Sequence, residues 1–346
     1  MAIRRAEDMG RVNVRVTALA VVAAMTVGAC GGGSGTTAAT DGDAPEEPRS
    51  AFPVTIEHKY GSTEIPREPT RVLSLGFQEH DAILALGVTP TAVRYWFGDK
   101  TDVIFPWAED EAAGATPEIL EMPYDNLNFE KIASLKPDLI LGIYSGMTDK
   151  DYEMLSGIAP TVAQTDDYVD YGVPWQDMTR TVGRALGRED RANELVAALE
   201  GRFAALKAEN KAFAGKKVAV ATYSGAGSAP GFFASEDPRS RFFTSLGFEV
   251  PAELDEIAGD QFFGTVSPER LDVLDTDVLV WDQLQYVDGG PAAIKSDPLV
   301  QQLAVMQQGR ALFLEGDLEN AFAFNSVLSL PFVLDRLVPM LTDVVA

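Results

Sequence analysis

Two copies of one pattern occur in this chain, Asn128-Phe-Glu-Lys-Ile-Ala-Ser-Leu-Lys-Pro-Asp-Leu-Ile-Leu141 and Ser267-Pro-Glu-Arg-Leu-Asp-Val-Leu-Asp-Thr-Asp-Val-Leu-Val280. Each copy starts with a residue suited to a helix N-cap, has a glutamate two positions later and continues with a base and a leucine-centred helical stretch. An aspartate then opens an apolar β-run. One element present twice predicts two lobes of similar construction, and two-lobed proteins commonly hold a ligand in the cleft between the lobes.

The surrounding chain alternates short apolar runs with amphipathic helical patterns, which predicts an α/β fold of two doubly wound, Rossmann-like lobes with mostly parallel sheets. No strand pattern occurs between Trp175 and Phe213. Helical periodicity stops there at Gly187, resumes at Glu189 and continues for about 30 Å, enough to cross between domains. We therefore expect an N-terminal lobe at 52–174, a crossing segment with a long rigid interdomain helix at 175–213, and a C-terminal lobe at 214–346.

The N-terminus has the pattern of an exported protein. A basic segment precedes the apolar run Val16 to Val27, which indicates a signal peptide at 1–29, with Met9 as an alternative start. The only cysteine, Cys30, ends the sequence Val27-Gly-Ala-Cys30, which is similar to a bacterial lipobox. We expect Cys30 to carry lipid on the outer face of the cytoplasmic membrane, with residues 30–51 as a flexible tether. The alternative is a secreted protein with one unpaired thiol.

Charge and motifs narrow the classes of function. The formal net charge is −24, which disfavours nucleic acids and anionic lipid surfaces as partners. The segment Tyr223-Ser-Gly-Ala-Gly-Ser228 is not a Gly-x-Ser-x-Gly elbow, and the sequence has neither a Gly-x-Gly-x-x-Gly nor a Walker A phosphate loop. These observations favour a binding protein over an enzyme.

Several segments in a particular order resemble one family. They are Leu84-Ala-Leu-Gly-Val-Thr-Pro90, Leu135-Lys-Pro-Asp-Leu-Ile-Leu141, Tyr152-Glu-Met-Leu-Ser-Gly-Ile-Ala-Pro-Thr161 and Ser245-Leu-Gly-Phe248. From about Thr55 to its end the chain resembles the helix-bridged substrate-binding lipoproteins of bacterial iron–siderophore ABC importers, and it looks most similar to their actinobacterial ferric-siderophore branch. The resemblance implies a monomeric, non-enzymatic protein that captures a ferric siderophore and delivers it to a permease dimer. It needs no cofactor, because the iron arrives inside the ligand.

The resemblance also assigns a role to the repeat. In that family one surface glutamate at the helix start of each lobe pairs with arginines of the permease, and the matching residues here are Glu130 and Glu269. A carboxylate in the first turn of a helix is held in its ionised form by the helix dipole. Simple dipole stabilisation is the alternative explanation for both residues.

Ligand contacts are expected in the loops after the strands, because ligands of doubly wound sheets bind at the carboxyl ends of the strands. Aromatic rings suit a bulky organic chelate, and arginine can pair with its anionic oxygens. The residues expected to bind are Arg94, Tyr95, Trp96, Phe97, Tyr144, Tyr223, Phe232, Arg239, Arg241, Trp281 and Phe324. Core packing is the alternative for the aromatic residues, and a solvated helix start is the alternative for Arg239 and Arg241.

A site for a bare metal ion is not expected. It would need three or four protein donors, and the chain has two histidines, His58 in a strand-like run and His80 near a helix start. The scarcity of basic residues in the candidate loops favours a hydroxamate or mixed chelate over a tris-catecholate. Haem bound through Tyr144 or Tyr223, cobalamin, and an envelope sensor or scaffold role remain open alternatives.

Overall fold

A computed structural model describes residues 51–98, 102–122 and 126–345. The expected signal peptide, Cys30 and nearly all of the expected tether lie outside the described residues. No helix within these three ranges is both long and apolar enough to cross a membrane.

The N-terminal lobe is a parallel sheet with helices around it and a hairpin at its start. Its strands are β1 Val54–His58, β2 Gly61–Ile65, β3 Val72–Ser74, β4 Ala92–Arg94, β5 Glu118–Leu120, β6 Leu139–Gly142 and β7 Thr161–Ala163. Its helices are α1 Glu79–Ala85, α2 Glu109–Ala112, α3 Phe129–Ser134 and α4 Asp149–Ser156. Strands β1 and β2 form the antiparallel hairpin, and the parallel sheet has the order β5-β4-β3-β6-β7. The strand order reverses between β3 and β6, which is where doubly wound sheets bind ligands.

Two helices follow, α5 Trp175–Ala185 and α6 Glu189–Glu209. The break between them contains Gly187 at a φ of 66°, a left-handed conformation that favours glycine. Phe203 of α6 contacts Trp175 of α5 on one side, with ring centroids 6.5 Å apart, and Phe242 of the C-terminal lobe on the other, at 5.6 Å. The rigid link between lobes that we expect from α6 remains a prediction.

The C-terminal lobe contains a mixed sheet. Its strands are β8 Val218–Thr222, β9 Gly231–Phe233, β10 Phe263–Thr265, β11 Val278–Trp281 and β12 Ala311–Phe313. Its helices are α7 Pro238–Leu246, α8 Ala252–Ala258, α9 Gly290–Ser296, α10 Ala304–Gln307, α11 Gly316–Phe324 and α12 Ser329–Val345. Short 3-10 helices occupy Lys211–Phe213, Pro268–Leu274, Leu284–Tyr286 and Val300–Gln302. The sheet order is β10-β9-β8-β11-β12, with β9 antiparallel to both of its neighbours and β11 parallel to β8 and β12.

The aspartates of the repeat perform the same task in both lobes. Asp138 accepts hydrogen bonds from the backbone N–H groups of Thr70 and Arg71, just before β3, and Asp277 accepts one from Lys217, just before β8. Burial opposes the charged form of Asp138, but these hydrogen bonds outweigh it and lower its pKa. The Lys217 N–H is the main cause of the lowered pKa of Asp277. Each carboxylate therefore joins the two central strands of its sheet.

The helical part of the repeat differs between the copies. Asn128 caps α3 by accepting a hydrogen bond from the Lys131 N–H, as expected. The second copy forms the 3-10 helix Pro268–Leu274, and the Ser267 side chain makes no capping hydrogen bond. The backbone of Arg270 departs from helical angles, with φ −114° and ψ 21°, so an α-helix cannot continue through it. Ser267 therefore occupies the N-cap position as expected, but its side chain does not cap the helix.

The junction of α11 and α12 packs into the N-terminal lobe. The Phe324 ring lies 4.8 Å from the ring of Phe105, and the buried carboxylate of Asp81 in α1 accepts hydrogen bonds from Ser326 Oγ and, at 2.8 Å, from Trp107 Nε1. Burial raises the pKa of Asp81 to about 7, although both hydrogen bonds oppose the rise. The two lobes are therefore joined by aromatic packing and by a buried hydrogen bond.

Asp81 should make the free energy of unfolding depend on pH. A carboxyl group whose pKa is raised in the folded state contributes stability at low pH that is lost as pH rises toward about 7. Asp81→Asn keeps an acceptor for Ser326 and Trp107 without the charge, so its free energy of unfolding should not show this pH dependence. The difference in free energy of unfolding between the variant and the wild type should therefore shift by about 2–3 kcal/mol in favour of the variant from pH 5 to pH 8. Denaturant unfolding at both pH values measures this. An equal difference at both would contradict it.

Candidate ligand-binding cleft

A cleft of about 410 Å³ lies between the carboxyl ends of the two sheets. Its N-terminal wall comes from loops after β3, β4, β6 and β7, and its C-terminal wall comes mainly from segments around β9, β11 and α11. The lining consists of Phe77, Trp96, Phe97, Tyr144, Tyr171, Phe233, Arg239, Phe262, Asp282, Gln283, Gln285, Tyr286, Glu319 and Ala323. The two walls differ in chemistry.

The N-terminal wall is aromatic. Phe77 lies 5.5 Å from Trp96 and 6.4 Å from Tyr171 between ring centroids, and Tyr144 lies 6.3 Å from Trp96 and 5.3 Å from Tyr171. Aromatic pairs at these separations support each other's orientation, so the wall is a preformed apolar surface. Tyr171 also approaches Phe262 of the other lobe at 5.6 Å, which closes one side of the cleft.

The position of Tyr171 depends on a glycine. Its hydroxyl donates to the carbonyl of Ser145 at 3.2 Å, directly beside Gly146. A Cβ at position 146 would lie 2.4 Å from that hydroxyl oxygen, and the φ of Gly146 is 59°. Only glycine combines this conformation with this close approach.

The C-terminal wall contains a buried charge cluster. The guanidinium of Arg239 donates from Nε to Asp282 at 2.8 Å and from Nη1 to Asp237 at 3.4 Å. All three side chains are almost completely buried, and the guanidinium lies 4.2 Å from the centre of the Phe233 ring. Burial raises the pKa of Asp237 and of Asp282, and the Arg239 charge partly offsets the rise. At least one carboxylate stays ionised, because an unpaired buried guanidinium is costly.

Glu319 of α11 adds a third carboxyl group to this wall. Its Oε1 accepts a hydrogen bond from the Gln285 N–H at 3.0 Å, and only 2% of the residue is exposed. Burial raises the pKa of Glu319 to about 7. Tyr286 is 65% exposed at the rim, and Gln283 has a left-handed φ of 60°. A non-glycine residue in that region carries strain, and such residues occur preferentially at ligand sites.

Four of the residues expected from the sequence line the cleft: Trp96, Phe97, Tyr144 and Arg239. Their contact with a ligand remains a prediction. Arg94 is buried behind the wall, with its guanidinium 4.6 Å from the centre of the Phe77 ring, and Tyr95 turns its hydroxyl to the carbonyl of Gly98.

The remaining residues of that set lie outside the lining for identifiable reasons. Phe232 and Trp281 are fully buried in a core on the opposite face of the sheet, and the Phe324 ring belongs to the interlobe packing. Tyr223 donates its hydroxyl to Asp297 at 2.7 Å. Arg241 points to the far side of α7, where it pairs with Glu236 and the carbonyl of Gly172.

Apart from Arg239, sequence reasoning missed the polar members of the C-terminal wall. Asp282, Gln283 and Gln285 directly follow β11, so the rule that ligands lie at strand ends could have found them. They were not predicted because only aromatic and basic side chains were expected to bind the ligand. Glu319 lies on a helix, and nothing in its local sequence signals burial.

His80, expected near a helix start, is buried in α1. Its ring packs against Phe324 with centroids 5.3 Å apart, and burial lowers its pKa to about 4. It is therefore a neutral packing residue at pH 7.

Glu79 positions the cleft residue Tyr144. Its buried carboxylate accepts the Tyr144 N–H at 2.8 Å and the Gln78 N–H at 3.2 Å. Glu79→Ala leaves both N–H groups without this acceptor and should cost about 1–3 kcal/mol of stability as well as weaken ligand binding. Thermal unfolding and ligand titration test this. Glu79→Gln keeps one of the two acceptor oxygens, which can still accept the Tyr144 N–H, so it should lose less than Glu79→Ala, and equal losses in both variants would contradict the role.

Glu130 and Glu269 are both exposed, in the first turns of α3 and of the 3-10 helix Pro268–Leu274. The basic residues that follow them form salt bridges with other carboxylates, Lys131 with Glu118 and Arg270 with Glu253. No salt bridge to either glutamate occurs among the described residues.

Comparisons with known proteins agree on one family. The model of a family described as periplasmic binding protein matches residues 74–318. A protein of Bacillus subtilis described as a probable siderophore-binding lipoprotein is 30% identical over 267 residues, which is 75% of this chain and 76% of the relative. A periplasmic solute-binding protein of Mycobacterium smegmatis has 35% identity and a TM-score of 0.74, covering 85% of this chain and 99% of that one. The protein PiaA of Streptococcus pneumoniae, solved with ferrichrome, has 27% identity and a TM-score of 0.73, and the match covers 84% of this chain and 98% of that one.

Proposed function

This chain belongs to the periplasmic binding protein family, and we propose that it captures a ferric siderophore in the interlobe cleft and delivers it to an ABC importer. The observation that carries the proposal is the cleft itself. An aromatic wall faces a hydrogen-bonding wall across a space of about 410 Å³, a size suited to a small organic ligand. The relative described as siderophore-binding and the solved complex with ferrichrome involve ligands of this class.

The cleft suits a chelate that brings its own iron ligands. Among the described residues no group of three or more His, Cys, Asp or Glu side chains is placed to hold a metal ion. Asp282 is engaged by Arg239, and Glu319 is engaged by the Gln285 N–H. The role we propose is therefore binding and delivery without chemical change of the ligand.

Delivery would use the exposed glutamates of the repeat. Helices α3 and Pro268–Leu274 each lead into a central strand, β6 or β11, so their starts lie toward the carboxyl ends of the sheets and hence toward the cleft. One carboxylate on each lobe, flanking the cleft, suits two symmetry-related basic sites on a permease dimer. We place the protein as a monomer on the outer face of the cytoplasmic membrane, anchored through Cys30, in line with the lipoprotein relative.

Tryptophan fluorescence tests ligand capture. Trp96 is the tryptophan in the cleft lining. Trp175 begins α5, packs against Phe203 of α6 outside the lining and serves as a matched position. A ferric chelate should quench the wild type and Trp175→Phe but quench Trp96→Phe much less, and the iron-free chelate should bind more weakly. If no ferric chelate of a broad panel quenches the protein, the proposal fails. Preferential binding of haemin, seen as a Soret shift, would support the haem alternative.

A further inference from the structure

We propose that the cleft selects ferric chelates of zero or positive net charge, with Glu319 and the Arg239–Asp282 pair as the residues that exclude anionic ones. This inference rests on the proposed function and specifies its ligand class. Its basis is the set of charges that face the cleft.

Within residues 51–98, 102–122 and 126–345, the cleft lining offers no uncompensated cation to an anionic ligand. Of the Lys and Arg side chains in the described part of the chain, Arg239 alone belongs to the lining. Two carboxylates contact its guanidinium, so the cluster is neutral or negative when one or both are ionised. Arg239 can still donate hydrogen bonds, but as part of a unit without net positive charge.

The other lining groups increase the negative character. Glu319 contributes a further carboxyl group to the same wall, and Gln283, Gln285 and Tyr286 contribute neutral polar groups. The opposite wall has aromatic rings in its lining. Arg94 lies behind the Phe77 ring and is 2% exposed, so a ligand would meet the ring and not the guanidinium.

The cost of an anionic ligand follows from this arrangement. A cleft between two lobes excludes much of the solvent, so charges within it interact more strongly than they do in water. Two like charges a few ångströms apart in such a site should weaken binding by about tenfold or more. A neutral trihydroxamate-type chelate avoids this cost, and a pendant ammonium group would gain from Glu319.

A series of chelates with one iron centre and different charges tests the inference. The probes are the ferric complex of a linear trihydroxamate with a terminal amine, which is cationic, its N-acetyl derivative, which is neutral, and its N-succinyl derivative, which is anionic. Calorimetry at pH 8, above the pKa of about 7 for Glu319, should show affinity falling in that order. The anionic complex should bind at least about tenfold more weakly than the cationic one.

Two variants test whether the preference for cationic complexes arises in the cleft. Glu319→Gln keeps an acceptor for the Gln285 N–H and should reduce the preference for the cation. Asp317→Asn removes an exposed carboxylate from the same helix, outside the lining, and should preserve the preference. Circular dichroism confirms that both variants are folded. Three results would overturn the inference while the proposed function stands. They are equal affinity across the series, tightest binding of the anionic complex or of a trianionic ferric tris-catecholate, and an unchanged preference in Glu319→Gln. Failure of every ferric chelate to bind would overturn both.

Discussion

Arg239→Met is expected to lower the free energy of unfolding by about 3–5 kcal/mol, because it removes the partner of two buried carboxyl groups. Asp237 and Asp282 have no exposed side-chain surface, and Arg239 is the cation that contacts both. Burial already raises the pKa of each, and loss of the guanidinium would raise both further. The loss of stability should therefore grow as pH rises through the ionisation of these groups, since raised carboxyl pKa values favour folding at low pH. Denaturant unfolding at pH 5 and pH 8 measures both effects.

Arg241→Met is the matched control, two positions along α7. Its partner Glu236 is half exposed, so the ion pair itself should contribute about 1 kcal/mol or less. Similar losses in the two variants would mean that the buried cluster is not the source of stability that its geometry indicates.

Reversing both charges of the repeat, Glu130→Arg with Glu269→Arg, is expected to abolish delivery while ligand affinity stays unchanged. Like charges brought together at an interface cost several kcal/mol, and about 1.4 kcal/mol corresponds to a factor of ten. Uptake of iron-loaded ligand in cells or permease-containing vesicles should therefore fall by at least about tenfold. Both side chains are exposed, so the fold should tolerate the change.

Glu153→Arg with Glu256→Arg makes the same change of charge at exposed positions outside the repeat, one on each lobe. Uptake should survive in this control. If both double variants transport equally well, Glu130 and Glu269 serve only their helix starts, and the docking proposal is wrong.

The architecture was largely predictable from local patterns. The interruption between α5 and α6 at Gly187 agrees with the prediction, because the helical pattern on both sides of it is strong. The short strands β9 and β10 were not predicted. Each has three residues, and their sequences, Gly231-Phe-Phe233 and Phe263-Gly-Thr265, contain glycine, which weakens a strand pattern.

The site was predictable in kind but not in detail. A strand presents successive side chains to opposite faces, so a choice between Phe232 and Phe233 decides between core and cleft. Phe233 faces the cleft and Phe232 the core, and nothing in the local sequence reveals which applies. The same alternation buries Trp281 and brings Asp282 to the cleft.

The buried charge cluster was hidden for a different reason. Arg239 pairs with Asp282 across 43 positions of sequence. Such a contact depends on the tertiary fold, and an isolated arginine near a helix start looks solvated. The pairing of Arg239 with Asp282 therefore had to come from the structure.

The ligand that accompanies the native protein shows whether the cleft holds a ferric siderophore. Protein purified without denaturation from iron-starved cells that produce it can be analysed by native mass spectrometry for bound organic ligand and iron. We expect one iron chelate per protein molecule, neutral or cationic, that is lost in a Trp96→Ala variant with an intact fold. Recovery of haem, of a ligand without iron, or of a chelate that persists in Trp96→Ala would contradict this expectation.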